Sequence, residues 1–131
     1  YLRGKTIGSK EPLILVEDLF SAIKVNQYTG YSTLCCLGTR ISDEIIRTLG
    51  SVAQSSVPSQ SRSIQTVGVQ RVAVAAFDGD SAGRIAERSL INRCSLRGLE
   101  YRTVRIPDGL DPKDLSPSEL VETFKFLELL K

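Results

Sequence analysis

Apolar and polar positions alternate in blocks along this chain. Residues 13–16, Leu-Ile-Leu-Val, form a continuous apolar run, the pattern of a strand covered on both faces. Residues 19–26 follow with Leu19, Ala22 and Ile23 at the spacing of a helix face. Residues 33–37 read as a second strand, closed by Gly38 and Thr39. Ser42 is placed to cap a helix with Ile45, Ile46 and Leu49 on one side, and Gly50 ends it. A third strand pattern begins at Val72 and stops abruptly at Asp78. Residues 81–97 then carry Ala82, Ala86, Leu90 and Cys94 as an i, i+4 stripe, with Gly98 as terminator. Residues 101–106 alternate, as expected of a strand at the sheet edge with one exposed face. Ser116-Pro117-Ser118-Glu119 is a capping box with proline at the first helical position. It opens a helix whose apolar face is Leu120, Val121, Phe124 and Leu127.

A β-α unit repeated in this way predicts an α/β, Rossmann-like domain: a mostly parallel four-stranded sheet with right-handed connections and helices on both faces. Two segments stand outside the rhythm. Residues 1–10 are polar and basic and read as a linker segment, which leaves 11–131 as the domain proper. Residues 51–65 are rich in Ser and Gln, contain Pro58 and show no periodicity, so a flexible insertion is expected there.

The strand ends are acidic. The first is followed by Glu17-Asp18, the third by Asp78-Gly79-Asp80, and the fourth by a turn with Asp108, Asp111 and Asp114. A parallel sheet brings these ends to one edge, where ligands of open α/β sheets bind. Carboxylates this close repel unless a cation or hydrogen-bond donors offset them, and hard oxygen ligands favour Mg²⁺ or Mn²⁺. The competing reading of Asp78-Gly79-Asp80 is a simple strand-to-helix turn, with Asp80 capping the helix and Asp78 in solvent. Arg84 and Arg88, opposite the apolar stripe of their helix, suit either a solvated face or a phosphate backbone.

Composition narrows the choices. A chain of 131 residues is long enough for one domain with a real core, and 41% hydrophobic residues is ordinary for a soluble globular protein. The net charge of +2 supplies no global basic field, so nucleic acid must be held by a local patch or another domain. No apolar run approaches a membrane span. The chain has no histidine, which removes Ser-His-Asp triads and histidine zinc sites. Cys35, Cys36 and Cys94 form no zinc set; Cys35 and Cys36 read as buried thiols, and the odd count fits a reducing, cytoplasmic location.

Taken together, these blocks resemble the Toprim domain, the catalytic module of topoisomerases and primases. That family carries a glutamate after its first strand and Asp-x-Asp after its third, matched by Leu-Ile-Leu-Val-Glu17 and Ala-Ala-Phe-Asp78-Gly79-Asp80. Within it the chain is most similar to bacterial and bacteriophage DNA primases. Their Asp-Gly-Asp-x-Ala-Gly, Leu-Gly-Thr and Pro-x-Gly-x-Asp-Pro segments correspond to residues 78–83, 37–39 and 107–112. Where primases have Gly-x-x-Asp after the glutamate, this chain has Asp18-Leu19-Phe20-Ser21, the departure expected of a divergent, phage-encoded member. Asp18 stands to replace part of the charge absent at Ser21.

The resemblance implies Mg²⁺- or Mn²⁺-dependent nucleotidyl transfer, the synthesis of RNA primers for DNA replication. It implies metal binding by Glu17, Asp78, Asp80 and Asp111. Glu17, Asp78 and Asp80 are the catalytic set, Glu17 as ligand or general base. Lys24, Asp108, Lys113 and Asp114 are candidates for nucleotide or phosphate binding. Implied partners are a single-stranded DNA template, nucleoside triphosphates, and a replicative helicase or further domains of the same polypeptide; no membrane is involved. A Toprim nuclease uses much the same acids. A non-catalytic module binding nucleic acid or a helicase is the third reading, supported by Ser21 and opposed by Glu17, Asp78 and Asp80. A topoisomerase fits less well, since its nucleophilic tyrosine lies in a separate domain.

Overall fold

A computed structural model of the chain describes residues 1–37, 41–50 and 69–130. The expected insertion at 51–65 and the Gly38-Thr39 closure therefore lie outside the described residues. The chain order is β1 (Lys10–Val16), α1 (Leu19–Thr29), β2 (Ser32–Cys35), α2 (Asp43–Gly50), β3 (Gln70–Ala75), α3 (Ser81–Leu96), β4 (Tyr101–Thr103) and α4 (Pro117–Phe124). Short 3-10 turns cover Pro112–Asp114 and Lys125–Leu129. Among the described residues the four strands form one sheet, ordered β2-β1-β3-β4, and its three strand pairs are parallel.

The alternation within β1 divides the core in two. Ile14 and Val16 join Val72 and Val74 under α1 and α4, with Ala22, Val25, Leu120, Phe124 and Leu127. Leu13 and Leu15 join Ala73 and Ala75 under α2 and α3, with Ile46, Leu49, Ala86, Leu90 and Cys94. Both faces of the central strands are thus covered, which is why β1 and β3 read as unbroken apolar runs rather than alternating ones.

Two helix faces differ from the sequence pattern. On α1 the buried residues are Ser21, Ala22, Val25 and Thr29, while Leu19 and Ile23 are 54% and 42% exposed. Small and polar side chains face the sheet because hydrogen bonds satisfy them: Thr29 Oγ1 donates to Val25 O at 2.6 Å, and Ser21 Oγ to Asp18 Oδ2 at 2.9 Å. On α4 Val121 is 50% exposed, whereas Leu120, Phe124 and Leu127 are buried as expected. The capping box of α4 forms as read, Ser116 Oγ accepting from Glu119 N–H and Glu119 Oε1 from Ser116 N–H.

Residues 1–10 run along the edge of the sheet. Leu2 bridges to Thr33 and Lys5 to Tyr31, and Ile7 turns back onto Lys10. The topology also fixes where a ligand can sit. β1 leads through α1 to β2 on one side, and β3 leads through α3 to β4 on the other, with α1 and α3 on opposite faces. The connections part at the carboxyl ends of β1 and β3, the switch point at which such sheets open a crevice.

Candidate metal centre

Glu17 and Asp18 follow β1 at this switch point, and Asp78 follows β3. Asp111 reaches them from the turn after β4, and backbone hydrogen bonds explain how. Gly79 N–H donates to Leu110 O at 2.8 Å and Gly109 N–H to Gly79 O at 2.7 Å, stitching the loop after β3 to that turn. Gly79 is needed for this approach: a Cβ there would lie 2.1 Å from Pro107 O. Gly83 plays the same part for α3, since its Cβ would lie 2.0 Å from Asp78 O.

Carboxylate oxygens of Asp18, Asp78 and Asp111 all lie within 4.8 Å of one another. Glu17 Oε1 and Asp78 Oδ1, the latter on one of these three aspartates, are buried with no hydrogen-bond donor among the described residues. The two carboxyls adjoin each other, and a shared proton or a cation offsets the repulsion of such a pair. The electrostatics reflect this. Burial, the adjoining Asp78 carboxyl and the charge of Asp80 push Glu17 up to about 8. Asp78 is also raised, by burial first and then by Asp111, Asp80 and Asp18, against the opposing effect of its pairing with Glu17. The donor set is hard oxygen throughout, and the ammonium beside it, that of Lys113, reaches Asp111 and Asp18 and leaves the Glu17–Asp78 pair unneutralised, so these residues fit a divalent cation such as Mg²⁺ or Mn²⁺.

The other predicted residues take definite places around this centre. Asp80 is the N-cap of α3, its Oδ1 accepting from Gly83 N–H at 2.7 Å. The capping role is therefore real, but Asp78 is half-buried rather than in solvent. Asp111 and Asp114 form a reciprocal capping box around the 3-10 turn. Lys113 donates to Asp111 Oδ2 and lies 3.7 Å from Asp18 Oδ2; the Asp111 bond first, and the Asp18 and Asp114 charges, raise its pKa. Lys24 donates to the carbonyls of Lys113 and Leu115 at 2.8 and 2.5 Å, pinning the acidic turn to α1. Asp108 lies apart from the three clustered aspartates, exposed and paired with Arg84 and Arg105.

Asp18 enters this cluster although the family pattern has glycine at that position. It caps α1, accepting from Ser21 N–H at 2.8 Å and Ser21 Oγ at 2.9 Å. Burial raises its pKa, but the Ser21 bonds and Lys113 outweigh this, and the net shift is downward. Its position directly after Glu17 at a strand end is the sequence signal for it. Cys36 and Cys94 are buried and Cys35 is half-buried; burial raises all three thiols, Cys36 to about 12, so none is a thiolate near neutral pH.

A family model described as Toprim-like matches residues 15–116. Among solved structures the chain is similar to the Aquifex aeolicus primase (zinc-binding and RNA polymerase domains), with a TM-score of 0.64 and 23% identity over 90% of this chain. It is also similar to the DnaG catalytic core, at a TM-score of 0.60 and 22% identity over 89% of the chain. A DnaG primase catalytic domain bound to single-stranded DNA gives 0.59 and 22% over 91%. The chain spans only 25%, 33% and 34% of those three proteins, and at these identities the likeness establishes a shared fold. No curated protein matches the chain.

Proposed function

This chain belongs to the Toprim-like family, and on that premise we propose that it is the catalytic Toprim domain of a DNA primase. It carries out metal-dependent nucleotidyl transfer, joining ribonucleotides on a single-stranded DNA template. The observation that carries the reading is the convergence of Asp18, Asp78 and Asp111 beside the donorless oxygens of Glu17 and Asp78. The fold shared with primase catalytic cores supports it.

Asp18, Asp78 and Asp111 would hold the cation, with Glu17 and Asp80 adding negative charge around it. When bound, a divalent ion offsets the repulsion between an anionic nucleophile and an anionic phosphate and stabilises the leaving oxygen. Glu17, directly after β1 and beside Asp78, is the group to take the proton of an attacking 3′-hydroxyl once a cation offsets the repulsion that holds its own proton. Lys113 and Lys24 hold the Asp111 turn in register. In the full-length protein, template-directed ribonucleotide incorporation should fall by orders of magnitude in Asp78→Asn and Asp111→Asn. Glu17→Gln should lower turnover more than nucleotide affinity. In parallel, Mn²⁺ should broaden the amide resonances around Gly79 first. Degradation of labelled DNA without incorporation would replace this reading with a nuclease. Wild-type activity in Asp78→Asn would end it.

A further inference from the structure

Beside the acidic centre, α3 and the segment after β4 enclose a cleft of about 370 Å³. Asp78 lies in its lining, so the cleft adjoins the proposed metal site directly. Arg84 and Arg88 contribute from α3, one turn apart, and Arg105 faces them from the segment after β4; Glu87 lines the same space. Arg84 and Arg105 converge on one oxygen, Asp108 Oδ1, at 2.6 and 3.4 Å. Arg88 has no hydrogen bond or ion pair among the described residues.

Two guanidinium groups already aimed at a single anionic oxygen are the arrangement that binds phosphate, whose oxygens match the planar donor fork. Asp108 is 72% exposed, and exposed ion pairs of this kind contribute little, so a doubly anionic or metal-bridged ligand displaces it readily. We infer that this arginine cleft binds a phosphate group of the nucleotide or nucleic acid next to the one that reacts, with the Asp108 carboxylate as its place-holder. The nucleotide class rests on the function proposed above; the phosphate site itself rests on the arginine geometry. Glu87 and Asp78 keep the cleft from being a general anion trap. Ligands should therefore bind more tightly once a cation neutralises Asp78.

The test measures binding of the chain to a labelled single-stranded oligodeoxynucleotide and, separately, to ATP, with and without Mn²⁺. Arg88→Ala and the Arg84→Ala/Arg105→Ala pair should each weaken binding roughly 3- to 10-fold at low salt, and lower the salt slope by about one per arginine. Arg88→Lys should recover part of the loss, and Asp108→Asn should bind more tightly than wild type. Losses confined to the oligonucleotide assign the phosphate to the strand; losses confined to ATP assign it to the triphosphate. These side chains are on the surface, so circular dichroism should be unchanged. Wild-type affinity for both ligands in the arginine variants, or no binding of either by the wild type, overturns the inference. Mn²⁺ broadening around Gly79 separates the two readings. If it is absent while arginine dependence persists, the metal reading fails and the cleft stands; if it is present without arginine dependence, the cleft alone fails.

Discussion

Glu17 and Asp78 share an unsatisfied position that a proton can fill. An acid whose pKa rises on folding, here from 4.5 to about 8, favours the fold while it is protonated in both states. That contribution is complete below about pH 4.5 and is lost as pH rises through the folded value, because the unfolded chain ionises first. In EDTA the melting temperature should therefore decline between about pH 5 and pH 8 more steeply in the wild type than in Glu17→Gln. Parallel curves would show that the two carboxyls do not interact. Mn²⁺ should flatten the wild-type decline, since a cation removes the repulsion. Gly83 offers an independent check at the same scale. A methyl group there meets Asp78 O at 2.0 Å, so Gly83→Ala must push α3 off the loop that carries Asp78. Overpacking of this kind costs about 1–3 kcal/mol. Denaturant unfolding should show that loss together with weaker Mn²⁺ binding; a neutral Gly83→Ala would mean the loop yields freely.

Helix ends and strand ends do double duty in this molecule. Asp18, Asp80 and Asp111 each cap the element they precede, so the capping reading and the metal reading of these acids are not exclusive. Asp80→Asn and Asp80→Ala separate the roles. Asn caps about as well as Asp, so the first should retain stability, whereas Ala should cost about 1 kcal/mol. Both should weaken Mn²⁺ several-fold by removing a charge near the centre; unchanged Mn²⁺ titration in Asp80→Asn would leave only the cap. The elements themselves were largely legible in the sequence. β1 and β3 announce themselves because a doubly covered strand is apolar throughout, and the α4 start because its capping box uses local chemistry alone. The buried face of α1 was not legible. Ser21 and Thr29 go inside through specific hydrogen bonds, and no hydropathy pattern encodes those. The acids at the strand ends could be read as convergent once the sheet was parallel. Their sorting could not: Asp108 turns to arginines while Asp111 joins Asp78 because of turn geometry after β4, set by backbone bonds between Gly79, Gly109 and Leu110, and Asp18 is held beside them as the cap of α1.

At the scale of the whole molecule the sheet has two poles. The carboxyl end gathers unsatisfied acids, while the amino end is closed by one fully engaged carboxylate. Glu11 is 3% exposed and receives Arg71 Nε at 2.9 Å, Ser32 Oγ at 2.7 Å and the Tyr1 hydroxyl at 2.5 Å. It thereby ties β1 to β2, to β3 and to the segment before the sheet, whose Gly4 N–H also donates to Ser32 Oγ at 2.8 Å. Burial alone would raise the Glu11 pKa, but the bonds from Tyr1, Ser32 and Arg71 outweigh it, and the value falls below 4.5. The sign is opposite to that of Glu17. A depressed acid stabilises the fold above its unfolded pKa, and that stability is lost as pH falls through the folded value. Glu11→Gln keeps the shape but removes the charge from three hydrogen bonds. It should lower stability near neutral pH by about 2 kcal/mol, the scale of bonds to a charged group. The gap from wild type should close below about pH 4.5, as the wild-type carboxyl takes up its proton. Urea unfolding across that range, with Mn²⁺ broadening at Gly79 recorded on the folded variant, tests the separation of the poles. Closure of the gap with unchanged broadening is the expected result. A constant gap, or a metal site lost along with Glu11, would show that the two ends of the sheet do not act independently.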